Sequence, residues 1–583
     1  MSLLSRRAFL ASCGFVAAAQ TGRRRPNVLV ILTDDQGWGD LSINGNSNLA
    51  TPNIDSIGRQ GAQFERFFVC AVCAPTRAEF LTGRYHARAG VRGVSTGQER
   101  MNLDEHTIAQ TFQKAGYATG AFGKWHNGSQ APYHPNSRGF AEYYGFTSGH
   151  WAHYFDTEMD HNGELVKGRG YITDDLTNHA IAFIEKNRAR PFFCYLPLNT
   201  PHSPMQVPEA NYAKFAQFQP ALKATDPAQE DVAMTRAALA MVENIDGNVG
   251  RLLAKLKGLG LEEDTVVVFF CDNGPNSWRW NGGMKGRKGA VDEGGIRSPL
   301  LVRWPGRIAV GQMIPQIAGA IDLLPTLSVL AGVPMGATKP LDGRSLAPLL
   351  FRQKVDWADR MIFSLQAKRI SVRTQTHRLD PTGKLFDMRN DPGQTKDVAA
   401  LEAELAGRLR AAAEAWGREV LPLVGPDDRP YPVGHSKTTY LPARDGIGSG
   451  EVKRSNTAPN SSYFTNWTKT TDRIQWDIEV AQAGEYEGVM YYTASVAGSI
   501  VELSCGAGRL EFSIGEAHNP PLFGMKEDRH DRGPESYAKD FKPLRLGTIQ
   551  LAAGRGALTL RAIKVAGTAV ADVRYLVLTR RAK

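Results

Sequence analysis

The sequence predicts an α/β protein with a mostly parallel, partly mixed central sheet flanked by helices. A small α+β subdomain and then an all-β sandwich are expected to follow. Three observations predict this. The apolar runs "PNVLVILT", "ARPFFCYLPL" and "DTVVVFFC" lack the alternation of half-exposed strands and are separated by stretches of helical spacing. From about residue 336 the chain turns to short strand-like pieces followed by one Ala- and Leu-rich helical stretch. Beyond residue 463, strands and turn signals recur with no helical stretch between them.

Taken in order, residues 1–19 hold an arginine pair, a short apolar run, and small residues Ala17 and Ala19 at cleavage spacing. This reads as an export signal of the twin-arginine kind, used for proteins exported already folded. The "LASC" segment resembles a lipoprotein box but follows Arg7 too closely for an h-region of ~7–15 residues. The reading is therefore a periplasmic or extracellular protein rather than a lipid-anchored one. No later run is apolar enough to span a bilayer. Residues 26–335 form the α/β unit, with helices expected over "LDEHTIAQTFQKAGY", "TDDLTNHAIAFIEKN" and "DVAMTRAALAMVENIDGNVGRLLAKLKGLG". Residues 336–425 form the α+β subdomain, the Pro/Gly/Ser-rich residues 426–462 a linker, and residues 463–583 the sandwich.

Length and composition agree with a multidomain globular chain of 583 residues, 42% hydrophobic and 22% charged. The formal charge of +10 suits an anionic substrate or polymer, as it equally suits a generally basic surface. Loss of Arg6 and Arg7 with the signal leaves +8. No nucleic-acid-binding signature is present. Six cysteines occur, at 13, 70, 73, 194, 271 and 505, and removing Cys13 leaves an odd, sparse set that is no disulfide scaffold.

The chemistry gathers at predicted strand ends, where ligands of open α/β sheets bind. One run stops on Asp34 and Asp35, a second on Asp272 and Asn273, and a third leads into a loop with His202. Either pair alone could start a turn or cap a helix. Together they supply oxygen-only ligands, which suit Ca²⁺ or Mg²⁺ rather than zinc. In "CAVCAPTRAEFLTGR", Pro75 lies just inside a helix start and Gly83 at its end, so Cys73 falls at or near the N-cap. A helix N-terminus lowers a thiol pKa and attracts anions, and Arg77 stands one turn on.

These residues resemble the sulfatase family. The family signature of Cys, any, Pro, any, Arg, followed by Leu-Thr-Gly, is matched by Cys73, Pro75, Arg77 and Leu81-Thr82-Gly83. A second motif appears as "GYATGAFGKWH". Family-like segments "TDDQGWGD", "LNTPHSP", "FFCDNG", "KGRKGAVDEGGIRSPLLVRWPG" and "KLFDMRNDPG" follow family order from about 26 to 425. The resemblance implies the alkaline-phosphatase-like fold and hydrolysis of a sulfate ester, with a sulfated carbohydrate as the expected substrate and aryl sulfates as a further class. It implies that Cys73 is converted to formylglycine by a formylglycine-generating enzyme before export. One oxygen of the hydrated aldehyde then attacks sulfur and the alcohol leaves. Deprotonation of the second hydroxyl expels sulfate and restores the aldehyde.

By the same resemblance Asp34, Asp35, Asp272, Asn273 and converted Cys73 bind the cation, with Ca²⁺ favoured over Mg²⁺. Arg77 holds the diol, Lys124 and Lys288 bracket the sulfate, His126 takes the diol proton, and His202 binds the ester and protonates the leaving oxygen. Asp272 is a candidate base for the diol. Cys70, Cys194 and Cys271 are expected to be inert, Glu293-Gly294-Gly295 to shape the turn carrying Lys288, and Lys285 and Arg287 to be solvated. Trp151, Trp278, Trp280 and Arg279 are candidates for substrate contacts or for plain loop packing. The sandwich fits a carbohydrate-binding module, a spacer, or a wall of the cleft. The alternatives are a phosphate or phosphonate ester hydrolase of the same fold, or an inactive sulfatase-like binding protein.

Overall fold

The computed structural model describes residues 25–581; the export signal read at 1–19 lies outside them. Asn27–Thr33 is a strand buried along its whole length, as its unbroken Val/Leu/Ile run requires. It sits inside a ten-stranded sheet. In spatial order the strands are Gln312–Ile314, Ala62–Phe64, Leu300–Arg303, Thr265–Cys271, Asn27–Thr33, Phe192–Pro197, Ala118–Lys124, Glu142–Phe146, Glu158–His161 and Glu164–Lys167. The five strands from Thr265–Cys271 to Glu142–Phe146 are mutually parallel. Leu300–Arg303 and the last two strands pair antiparallel, which makes the sheet mixed.

Side chains alternate across the central strand into two cores. Val28, Val30 and Leu32 pack with the helices Cys73–Thr82, Ile108–Lys114 and Leu323–Ala331. Leu29 and Ile31 pack with Pro52–Arg59, Ile172–Lys186 and Val232–Gly258. The helix expected over "LDEHTIAQTFQKAGY" begins only at Ile108. Thr107 there makes a capping box with Gln110, accepting from its amide while the Gln110 side chain accepts from the Thr107 N–H. Because the five central strands are parallel, their carboxyl ends open on one edge, and the residues after them meet there.

The α+β subdomain is a four-stranded antiparallel meander, Ile362–Gln366, Arg369–Arg373, His377–Leu379 and Leu385–Asp387, covered by the helix Ala403–Val420. Two further six-stranded sheets enclose a core containing Trp467, Trp476, Tyr486, Leu560 and Leu576. Alternating burial along Arg473–Val480 is the signature of a sheet with one face inward.

The linker reading of 426–462 needs correction, since Tyr431–Val433, Thr438–Pro442, Ile447–Ser449 and Lys453–Arg454 are strands of these sheets. Proline and glycine sit there at edges and turns, where a missing donor or a tight bend costs little. Between Gly508–Ser513 and Lys542–Leu551 the chain leaves the sandwich and lies against the α/β unit, where Arg529 N–H donates to Met205 O at 2.9 Å.

Candidate active site

Asp34, Asp35, Lys124, His126, His202, Asp272 and Asn273 lie at or just beyond carboxyl ends of the central strands, while Cys73 and Arg77 come from a helix and Lys288 from a loop. Asp34 and Asp35 follow Asn27–Thr33, Asp272 and Asn273 follow Thr265–Cys271, and Lys124 is the last residue of Ala118–Lys124. His126 and His202 lie in the loops beyond their strands. Lys288 is on a loop whose Gly289 N–H donates to Ala71 O at 2.8 Å, tying it to the segment before Cys73. Cys73 is the first residue of its helix, one step past the cap position, and Gly83 closes that helix at φ +68°. Val72 offers no side-chain cap to the first turn of this helix. Thr76 anchors this turn by donating to Asp272 O at 2.6 Å and accepting from Cys70 N–H at 2.8 Å.

The charged groups interlock. Arg77 donates through Nη2 and Nε to one Asp272 oxygen at 2.7 and 3.2 Å, and through Nη1 to Lys124 O at 2.8 Å. Lys124 Nζ bonds Asp34, and Lys288 Nζ lies 2.7 Å from Asp35 Oδ1. Asn273 Nδ2 donates to the same Asp35 oxygen at 2.8 Å. Asp35 takes the left-handed conformation, φ +62°, which places its amide 3.2 Å from Asp272 Oδ1.

The donor set fits a hard cation. Ligand atoms of Asp34, Cys73 and Asp272 lie within 4.8 Å of one another, and so do those of Asp34, Asp35 and His202. Asp34 Oδ1 and Asn273 Oδ1 are buried acceptors without a hydrogen-bond partner, the state expected of oxygens reserved for a metal ion.

Electrostatics follow from burial and crowding. Burial drives Asp272 up to about 7, with the Asp34 charge adding to it and Arg77 and Lys124 opposing. Burial also raises Asp34 and Asp35, but the nearby cations outweigh it and both carboxyls lie below their ordinary range. Lys124 leads for Asp34, and His202 and Lys288 lead for Asp35. The Cys73 thiol does not follow the lowered pKa expected at a helix start. Burial pushes it up, and Lys124 and Lys288 only temper the rise. His126 and His202 are pushed down, first by burial.

The two histidines sit differently. His126, at φ +59°, pairs through Nε2 with Val94 O at 2.7 Å and leaves Nδ1 buried and unpartnered. His202 pairs through Nδ1 with Ser203 O at 2.7 Å and turns Nε2 toward Asp35, 3.6 Å away. Arg279 is committed elsewhere, forked onto Asp40 at 2.7 to 3.1 Å, which removes it as a free anion receptor. Trp151 is core, stacked on Phe146 with its Nε1 bonded to Thr157.

Trp278 and Trp280 are half-buried, with Arg287 over the Trp278 ring. Lys285 lies 3.7 Å from Asp292. None of the five cysteines among the described residues is disulfide-bonded. Cys70 lies beside Glu79 and His86, with burial raising its thiol and Glu79 adding to the rise.

Two residues at the site had no motif to mark them. His150 stacks on His202 with ring centroids 5.9 Å apart, on the loop that also carries Trp151. Glu535, from the far domain, accepts from Ser203 Oγ at 2.6 Å. No local pattern in the sequence could have placed it there.

A family model described as Sulfatase matches residues 26–333, and one described as N-sulphoglucosamine sulphohydrolase, C-terminal, matches 287–406. N-acetylgalactosamine-6-sulfatase of Mus musculus is 32% identical over 391 residues, covering 61% of this chain and 71% of that protein. Arylsulfatase A of Homo sapiens is 32% identical over 372 residues, covering 58% and 69%. The solved structure of Ps i-CgsB in complex with k-i-k-neocarrahexaose superposes with a TM-score of 0.62 at 30% identity, covering 68% of this chain and 94% of that one. Phosphonate monoester hydrolase of Agrobacterium radiobacter shares the fold, with a TM-score of 0.51 at 21% identity over 68% of this chain and 95% of that one.

Proposed function

The chain belongs to the sulfatase family and is a sulfuric ester hydrolase, and from that premise we propose that it cleaves sulfate esters of carbohydrates after conversion of Cys73 to formylglycine, with a bound Ca²⁺. The observation that carries this reading is the convergence of Cys73, Arg77, Lys124, Lys288 and four oxygen ligands on one edge of the sheet. The two unpartnered acceptors, Asp34 Oδ1 and Asn273 Oδ1, support the cation. The carbohydrate assignment is supported by relatives named for a sulfated amino sugar and for a carrageenan-type oligosaccharide complex.

Asp34, Asp35, Asp272 and Asn273 would hold the cation, which supplies Lewis-acid polarisation of the sulfate. The converted residue would supply a geminal diol, one hydroxyl serving as the nucleophile toward sulfur and the other, once deprotonated, serving to expel sulfate and restore the aldehyde. The remaining work falls to this chain's side chains. Lys124, beside Asp34, and Lys288, beside Asp35, supply ammonium groups for the sulfate oxygens, which gain charge in the transition state. Arg77 holds Asp272 against the nucleophile's helix. His126 keeps Nδ1 free to take the diol proton. His202 Nε2 faces the centre, where it donates to the leaving oxygen when the ring is in its imidazolium form, Nδ1 keeping its own proton on Ser203 O. Asp272 is the candidate base for the attacking hydroxyl.

Conversion of Cys73 would require a formylglycine-generating enzyme before export through the 1–19 signal to the periplasm or the outside. The domain division carried with this proposal is an α/β unit to 335, a subdomain to 425, and a sandwich that starts near Tyr431. The phosphate-ester reading rests on the shared fold alone, and the inactive reading meets a complete set of expected residues.

The test is turnover of 4-nitrophenyl sulfate, sulfated galactose and galactosamine sugars, and 4-nitrophenyl phosphate by the wild type and by Cys73→Ala. Sulfate-ester turnover that Cys73→Ala abolishes is expected. Faster turnover of the phosphate would favour the alternative.

A further inference from the structure

We infer that the C-terminal sandwich completes the catalytic pocket, with Glu535 as a positioning residue that holds His202; this rests on the sulfatase reading above. The chain between Gly508–Ser513 and Lys542–Leu551 is a long connection without a strand or helix of its own, the kind of segment that is usually functional in a compact domain. It is docked along the α/β unit. Gln206 donates to Asp528 Oδ1 at 2.7 Å and to Gly524 O at 2.8 Å, and Arg532 donates to Ala152 O at 2.8 Å. His530 Nε2 pairs with Asp231 at 2.5 Å.

These contacts deliver Glu535 to the side of His202 away from the reaction centre. Ser203 Oγ donates to Glu535 Oε1 at 2.6 Å, and the same oxygen lies 3.9 Å from His202 Nδ1 and 4.0 Å from His150 Nδ1. Glu535 is 6% exposed and its Oε2 is buried without a partner. A carboxylate so enclosed is costly unless charge or hydrogen bonds compensate it. The His150–His202 stack and Ser203 lie beside it, and the charges of Lys288 and Arg532 also act on it.

His202 Nδ1 is fixed on Ser203 O, so the ring can present only Nε2 to the centre. Glu535 holds the serine that holds this ring. A second sandwich segment secures the backbone of the loop that carries the other imidazole. Ser461 Oγ donates to His150 O at 2.9 Å, and Ser148 Oγ donates to Asn460 O at 2.7 Å. Gly149 permits this approach, since a Cβ there would meet Asn460 Nδ2 at 2.3 Å and His126 Nε2 at 2.6 Å. The leaving-group side of the pocket is therefore built by two domains, and the sandwich serves as its wall.

The experiment uses the full-length, converted enzyme and a series of substituted phenyl sulfates from 4-nitrophenyl to 4-methoxyphenyl sulfate. A good leaving group needs little proton donation and a poor one needs more. Glu535→Gln should leave turnover of 4-nitrophenyl sulfate within a few-fold of wild type. Its kcat for 4-methoxyphenyl sulfate should fall by about 10- to 100-fold, the range for removing a group that orients an active-site histidine.

Combined with His202→Ala, Glu535→Gln should add nothing, because it acts through that ring. Ser203→Ala should act in the same direction and serves if Glu535→Gln does not fold. Uniform loss across the series, no loss, or losses that multiply with His202→Ala would overturn the inference. Wild-type turnover of the same series tests the sulfatase reading separately.

Discussion

Arg77 places two nitrogens on a single oxygen of Asp272, at 2.7 and 3.2 Å, with both side chains fully buried. The pair joins the helix that begins at Cys73 to the strand end carrying Asp272 and Asn273. Arg77 Nη2 also lies 3.4 Å from Asp34, so one guanidinium spans both acidic strand ends. Removing one partner of such a buried pair leaves an uncompensated charge. Arg77→Ala should therefore lose about 3–5 kcal/mol of stability, measured by denaturant unfolding. Arg77→Lys keeps the charge but not the fork, and should fold while losing most activity.

Asp34→Ala and Asp272→Ala should abolish both bound cation and turnover. Each also unpairs a buried cationic side chain and should cost stability as Arg77→Ala does, so cation content is read by elemental analysis where circular dichroism shows the variant folded. Chelation should silence the wild type, and Ca²⁺ should restore it. Turnover that survives chelation would remove the metal assignment.

Lys288 sits 2.7 Å from Asp35 and is partly open to the site. Lys288→Met should lower kcat by about 100- to 1,000-fold, as when one donor to a developing oxyanion is lost, with the cation content unchanged.

On the Cys73 helix itself, Glu79 is pushed up to about 8 by burial, well above the ordinary 4.5. Between these values the unfolded chain releases the proton and the folded protein keeps it. Stability should therefore fall as pH rises from 4.5 to 8, by up to about 1.4 kcal/mol per pH unit. The wild type should lose stability relative to Glu79→Gln across that window and run parallel to it outside, measured by urea unfolding at each pH.

Most of the α/β unit was legible because buried parallel strands leave unbroken apolar runs, as in "VLVILT" and "TVVVFFC". The acids after those strands were legible for the same reason, since parallel pairing puts strand ends together. Three things were not. The first strands of the sandwich lie in Pro- and Gly-rich sequence that composition assigns to linker, and only their pairing with Arg473–Val480 and Asp572–Arg580 makes them strands. The Cys73 thiol shift depends on burial that a helix-start argument does not contain. Glu535 meets Ser203 across 332 positions of sequence, and tertiary contacts of that span leave no local period.

The central claim is that residue 73 is no longer cysteine in the working enzyme. Mass spectrometry of the alkylated tryptic peptide spanning residues 67–77 tests it most directly. Protein from the native host should show the aldehyde, or its hydrate, at residue 73, with the alkyl group on Cys70 alone. A peptide alkylated at both Cys70 and Cys73 in fully active protein would contradict the account.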